Sequence, residues 1–263
     1  MANTNNGLFV WHEHLAKDPK AAIAFYTEVV GWKTQPFAEG GDSGYVMWVG
    51  SQGPLGGVMT LPEQAAKMGA PPHWMSHVEV ADVDATAARV KELGGQVHVA
   101  PMDIPTVGRF SVIADPQGAS ISVFKPASAM AAHDSSKHGE FVWCELISTD
   151  SVAGFEFYRT LFGWEQVGSH DMGPMGKYIL YGRNGKALGG MMTKTPDMPM
   201  PSSWVYYVQV DDLDAAIGRA TAKGGKVIMG PMTVPGGSRV AQLMDPQGTW
   251  FALHAGTVFV PAA

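Results

Sequence analysis

The chain has 263 residues, enough for two domains, and 46% of them are apolar, so a sizeable core can be buried and disorder is excluded. Its net charge of −6, with 18 basic residues that form no Lys/Arg cluster, gives no footprint for a nucleic-acid backbone. A single cysteine, Cys144, rules out an internal disulfide and points to a reducing compartment. The N-terminus lacks a basic region followed by an apolar core, and no apolar run approaches the roughly 20 residues that span a bilayer. A cytoplasmic protein with no membrane and no nucleic-acid partner is the expectation.

From Leu8 to Leu15 the chain is apolar and strand-like. Asp18-Pro19 then supplies an N-cap and a proline at the first helical position, opening a helix through Val30 that Gly31 ends. Strand-like segments follow at 32–37, 45–50 and 55–61, with Gly56-Gly57 read as a strand start. After the break at Pro71-Pro72 the order restarts: a strand at 74–80, Asp82 as cap, a helix to Leu93 ended by Gly94-Gly95, then strands near 96–102, 109–114 and 119–124. The pattern is βαβββ, twice over.

The whole pattern then recurs. Phe9-Val10-Trp11-His12-Glu13 returns as Phe141-Val142-Trp143-Cys144-Glu145, an offset of 132, and Leu55-Gly56-Gly57 returns as Leu188-Gly189-Gly190. Asp115-Pro116-Gln117-Gly118 returns as Asp245-Pro246-Gln247-Gly248. Residues 7–126 and 139–260 are therefore expected to form two domains, with the small, polar stretch 127–138 as linker.

A βαβββ unit packs its helix on one face of a small sheet and leaves the other face open, and two units cover those faces by curving into a cup. The expected class is α+β. Asp18, Phe25-Tyr26, Gly31-Trp32, the Val80-to-Asp84 turn, Gly94-Gly95 and Asp115 to Gly118 resemble the vicinal oxygen chelate superfamily, which includes glyoxalase I, bleomycin- and fosfomycin-resistance proteins and extradiol dioxygenases. Asp150, Phe157-Tyr158, Gly163-Trp164, Val210 to Asp214, Gly224-Gly225 and Asp245 to Gly248 repeat the resemblance. Trp143 to Leu146 and Phe162 to Trp164 are similar to a bacterial and mycobacterial group of tandem glyoxalase-like proteins. The resemblance implies two tandem vicinal oxygen chelate domains, each a pair of βαβββ modules forming an open, cup-shaped barrel.

It also implies a divalent metal held by a His or Gln on a first strand and a Glu on a last strand, and the sequence can be tested for these residues. Seven residues before each helix-capping Asp stand Trp11, Met75, Trp143 and Val205, and seven residues after each Asp-Pro-Gln-Gly aspartate stand Ser122 and Ala252. None of the six suits such an ion. No cofactor is expected, and a divalent metal is open only through non-standard ligands such as Glu13 and His77.

Period-two alternation places Glu13 on the side of Trp11, His77 with Met75, Glu145 with Trp143, and Tyr207 with Val205, all toward the concave faces. Glu13 with His77, and Glu145 with Tyr207, are the candidate catalytic acid/base pairs; the competing reading is polar groups that only satisfy one another. Candidate ligand-lining residues are Trp11, Met59, Met75, Trp143, Met192 and His254, with Arg109 and Arg239 in equivalent loops near a rim, set to meet an anion or the loop backbone. His12, His14 and Cys144 have the opposite parity and belong to the core or rim.

The leading expectation is a glyoxalase-like protein, monomeric or homodimeric, whose apolar cups bind a small organic molecule and act on it as a lyase or isomerase without the usual metal. A non-catalytic, antibiotic-sequestering protein of the bleomycin-resistance kind is the first alternative. A metal-dependent glyoxalase-type lyase or dioxygenase with non-standard ligands is the second.

Overall fold

The computed structural model describes residues 5–37, 44–173, 176–198 and 200–258. The first half runs β1 (Phe9–Ala16), α1 (Pro19–Val30), β2 (Lys33–Pro36), β3 (Val46–Gly50), β4 (Gly53–Thr60), a short α2 (Glu63–Lys67), β5 (His73–Glu79), α3 (Val83–Glu92), β6 (Gln96–Ile104), β7 (Gly108–Ala114) and β8 (Ser120–Pro126). The second runs β9 (Phe141–Ser148), α4 (Ser151–Phe162), β10 (Glu165–Asp171), β11 (Lys177–Arg183), β12 (Lys186–Thr193), β13 (Ser203–Gln209), α5 (Leu213–Ala222), β14 (Lys226–Thr233), β15 (Arg239–Met244) and β16 (Trp250–Ala255). The fourfold βαβββ pattern is present, with α2 as an addition. Residues 259 and 260, at the end of the expected second domain, and Pro199 lie outside the described residues. Among the described residues no helix is long and apolar enough to cross a membrane.

Each half is one eight-stranded sheet, ordered β2-β3-β4-β1-β5-β8-β7-β6 and β10-β11-β12-β9-β13-β16-β15-β14. The first strands of the two modules pair antiparallel at the centre, β1 with β5 and β9 with β13, and each pairs parallel with the last strand of its own module. The sheet is an open cup with free edge strands, not a closed barrel.

The aspartate caps act as the sequence implies: Asp18 accepts from the Lys20 and Ala21 amides, and Asp150 from those of Val152 and Ala153. The Gly-Gly pairs differ from expectation. They lie inside β4 and β12, and close approach is their cause: a Cβ on Gly56 or Gly189 would be driven into the His12 or Cys144 carbonyl oxygen of the parallel partner strand.

The convex sides of the two sheets meet in one continuous core. β1 and β5 send Ala16, Trp74 and Val78 into the same cluster as Cys144, Leu146, Trp204, Tyr206 and Val208 of β9 and β13. His12 stacks on Phe141 at 3.8 Å and its Nδ1 lies 2.6 Å from the Ser76 hydroxyl; His14 stacks on Trp74 and lies 3.0 Å from the Thr249 hydroxyl. Met191 also faces this core, whereas Met192, its neighbour, faces the second cup.

The Asp-Pro-Gln-Gly turns hold the seam. Gln117 accepts from the Asp150 amide at 2.6 Å and donates to the Asp150 carbonyl at 2.7 Å, while Gln247 makes the same pair of contacts with Asp18 at 2.8 and 3.0 Å. The turn aspartates bind their own turns' amides and accept a tyrosine hydroxyl from the other half: Asp115 from Tyr158 at 3.2 Å, Asp245 from Tyr26 at 3.3 Å. Each turn therefore caps the helix entrance of the opposite half.

Burial holds both seam histidines at a pKa of about 3 against the ordinary 6.5, with neighbouring His77 and His133 adding to the effect on His12, and His73 to that on His14. The unfolded chain binds these protons below pH 6.5 and the folded chain does not until about pH 3, so stability is lost as pH falls through that window. Between pH 7 and pH 5 each histidine should cost about 2 kcal/mol. Urea midpoints of the parent and of His12→Phe at the two pH values measure this, and the variant should show the smaller drop.

Candidate functional site

The first cup is built by alternation along its central strands. β1 turns Trp11, Glu13 and Leu15 to the concave side, and β5 turns Met75 and His77 to the same side. Glu13 and His77 approach diagonally, with the Glu13 Oε2 3.6 Å from the His77 Nε2 and side-chain exposures of 16% and 9%. That gap is just beyond a hydrogen bond, and the His77 Nε2 is buried with no hydrogen-bond partner. The Phe124 ring stands edge-on to His77 at 5.9 Å. Leu15, Leu61, Met75, half-buried Met59 and Val112 supply the apolar wall.

Tyr45 completes the constellation. It accepts the Trp11 indole N–H at 2.8 Å and hydrogen-bonds to Glu13. Burial acts to raise the Glu13 pKa, but the attraction of His77 together with the Tyr45 hydroxyl outweighs it, so the carboxyl sits below its ordinary value of 4.5. Burial, and the Glu13 charge beside it, push the Tyr45 phenol well up, so it stays protonated. The site holds an ionised carboxylate and an imidazole side by side in an apolar cup.

The second cup has the same frame and a different electrostatic outcome. Tyr178 accepts the Trp143 indole at 3.0 Å and donates to the Glu145 Oε1 at 2.6 Å, as Tyr45 serves Glu13. The Glu145 Oε2 accepts from the Tyr207 hydroxyl at 2.8 Å and the Gln242 amide at 2.9 Å. Glu145 is buried at 5% exposure, and burial outweighs its three donors to raise its pKa. Met198, Met200 and Val258 pack on the apolar residues of this cup, which include Val205, Tyr207 and Met192. Glu145 is a closed polar knot, whereas Glu13 still has a lone-pair direction and a histidine within reach.

The remaining candidates separate cleanly. Arg109 is held by Asp84 at 2.7 and 2.9 Å and by Asp103 at 3.0 Å, and Arg239 by Asp214 at 2.6 and 3.0 Å. Both guanidinium groups thus pair with an aspartate in the first turn of α3 or α5, and their charge is compensated. The His254 Nδ1 lies 2.6 Å from the Gln209 Oε1, and the side chain is buried. Trp11, Met75 and Trp143 line the cups as alternation implies.

Three site residues escaped the sequence reading: Tyr45, Tyr178 and Gln242. A signal for the tyrosines exists. They share the offset of 133 that relates the Leu-Gly-Gly pairs, and Gly57 and Gly190 lie directly beneath their rings, where a Cβ would strike them. Gln242 marks a break in the repeat, since Val112 stands in its place in the first half.

Comparison with known proteins agrees with this architecture. The model of the Glyoxalase/Bleomycin resistance protein/Dioxygenase superfamily matches residues 12–123 and again 140–253. The chain belongs to this superfamily. It is 32% identical over 246 residues, 92% of each chain, to a Mycobacterium tuberculosis protein named "Putative glyoxylase CFP32". It is 28% identical to the anthracycline biosynthesis protein DauV of Streptomyces sp. strain C5, covering 98% of this chain and 96% of that one. Among solved structures, the 2,3-dioxygenase LapB from Pseudomonas sp. KL28 superimposes with a TM-score of 0.65 at 13% identity, over 96% of this chain and 92% of that one. The Mn(II)-bound glyoxalase from Novosphingobium aromaticivorans does so with 0.64 at 17%, over 94% and 81%. At these identities the two structures speak for the fold alone.

The positions that carry metal ligands in metal-dependent members of the superfamily do not fit a divalent ion here. In the first cup they are Trp11, whose indole is engaged by Tyr45, the thioether Met75, and Ser122, whose hydroxyl donates to the Ser111 carbonyl. In the second they are Trp143, Val205 and Ala252. Among the described residues no group of three or more His, Cys, Asp or Glu side chains is placed to hold a metal ion.

The tyrosine seats give a direct check. Gly57→Ala and Gly190→Ala place a methyl group against the Tyr45 and Tyr178 rings, and each should destabilise by about 1–3 kcal/mol as overpacking does. Urea denaturation measures this, and variants as stable as the parent would mean that the rings are not seated on the glycines.

Proposed function

We propose that the protein is a glyoxalase-like lyase or isomerase whose working site is the first cup, where Glu13 and His77 move a proton on a small, uncharged organic molecule. The observation that carries this reading is the open Glu13–His77 pair, 3.6 Å apart in an apolar cup, against the saturated Glu145 of the equivalent cup. The naming of a full-length relative as a glyoxylase supports the same chemistry.

In this mechanism the Glu13 carboxylate, ionised at neutral pH because its pKa is held down, takes a proton from a carbon next to a carbonyl group. The His77 Nε2 donates a hydrogen bond to the carbonyl oxygen as negative charge develops there. In an α-hydroxyketone the His77 Nε2 passes its proton to the former carbonyl oxygen and takes one from the neighbouring hydroxyl, and return of the proton from Glu13 to the former carbonyl carbon completes the isomerisation. Trp11, Leu15 and Met75 hold the body of the substrate and limit the entry of water. The Glu13 carboxylate sets the substrate class: it disfavours an anion, and Arg109 is already bound by Asp84 and Asp103.

Incubation of the protein in D2O with a panel of uncharged α-hydroxyketones tests the reading by mass spectrometry. Deuterium should enter at the carbon beside the carbonyl, and Glu13→Gln should slow this by about 100-fold or more. His77→Ala should slow it too, while Glu145→Gln retains it. Exchange that survives Glu13→Gln unchanged would sink the proposal.

A further inference from the structure

A second cavity, of about 190 Å³, opens at the seam between the halves, away from the Glu13–His77 pair, and no step of the proposed reaction uses it. Its walls come from the starts of β1 and β9, from β12 and from the linker. Leu8, Phe9, Leu55, Phe141 and Leu188 form its apolar wall, and the linker segment 131–135 borders it. Glu140 lines it as well, 3% exposed. The Glu140 Oε2 accepts from the His133 Nδ1 at 2.9 Å, but the Glu140 Oε1 is buried and has no hydrogen-bond partner.

The repeat shows that the fold does not need this carboxylate. Residue 140 corresponds to Leu8, and the backbones make matching contacts: the Glu79 amide donates to the Leu8 carbonyl at 2.9 Å, and the Gln209 amide to the Glu140 carbonyl at 2.8 Å. One copy fills the position with a leucine and the other with a buried, half-satisfied carboxylate. Burying a carboxylate oxygen without a donor is costly. His133, which balances the other oxygen, comes from the linker and has no counterpart in the first half. His12, at the same cavity, is kept neutral by burial and so places no cation there. The other charged side chain of the lining, Lys186, is exposed.

We propose that this seam cavity is a binding site for a small organic amine: the Glu140 side chain turns its unpartnered, occluded oxygen toward the protonated nitrogen, and an apolar or aromatic body lies against Phe9, Phe141, Leu55 and Leu188. The site is independent of the first cup. A buried carboxylate with one free oxygen selects an N–H cation over a neutral or anionic molecule of the same shape.

Phenethylamine, 2-phenylethanol and 3-phenylpropionate share a ring and chain and differ in the charged end, so calorimetric titration of the full chain with each at low salt tests the assignment. The amine should bind saturably, one per chain, and tenfold or more tighter than the alcohol, with no binding of the acid. Glu140→Leu, which installs the residue of the other half, and the isosteric Glu140→Gln should each weaken amine binding about tenfold or more, whereas Glu13→Gln should leave it unchanged. Should Glu140→Leu fail to fold, Glu140→Gln carries the comparison. Amine binding that is absent at millimolar concentration, equalled by the alcohol, indifferent to Glu140→Gln, or lost in Glu13→Gln would each overturn the proposal.

Discussion

The grip of each Asp-Pro-Gln-Gly turn on the helix entrance of the opposite half is the contact on which the rest of this molecule depends. Gln117 and Gln247 each hold the amide and carbonyl of a capping aspartate across the seam, and the turn aspartates take a tyrosine hydroxyl from the same helix. The glutamine contacts lie at the exposed rim of the seam, and the tyrosine hydroxyls satisfy aspartates that are buried within it. They fix the convex faces of the two sheets against one another, which leaves the concave faces as the cups.

Because the central strands are covered on one side by the shared core, every second residue of β1, β5, β9 and β13 has a cup position whatever its chemistry. The scaffold thereby tolerates two different settlements of the same buried glutamate. In the second half, Tyr207 and Gln242 join Tyr178 and give both oxygens of Glu145 hydrogen-bond donors. In the first, His77 and Val112 replace Tyr207 and Gln242, so two donors are exchanged for a histidine 3.6 Å from the Glu13 carboxylate. Two differences on a duplicated frame separate an open pair from a closed polar knot.

Much of this was legible in the sequence because it is periodic. The aspartate caps, the helix-ending glycines, the fourfold βαβββ order and the pairing of Glu13 with His77 and of Glu145 with Tyr207 follow from local propensity and strand alternation, which act within a few residues. The missing metal positions, Trp11 and Met75 above all, were equally visible. What escaped depends on contacts between strands that are distant in sequence. Tyr45 reaches Glu13 because Gly57 leaves room beneath its ring, and the role of a glycine as a seat for another strand's side chain has no local signature. Arg109 and Arg239 looked like rim cations in loops; they stand in β7 and β15, and the helix aspartates that bind them sit 25 residues away.

The sequence by itself determined the modules, their number, which strand faces carry polar groups, and the loss of the usual metal ligands, because capping and alternation are properties of the chain read a few residues at a time. The tertiary structure decided which of the two cup glutamates has its carboxylate closed by donors, and it created the seam cavity beside Glu140. Both outcomes depend on how many hydrogen-bond donors from other strands and from the linker converge on one carboxylate, and that number is set only when the two sheets and the seam are assembled.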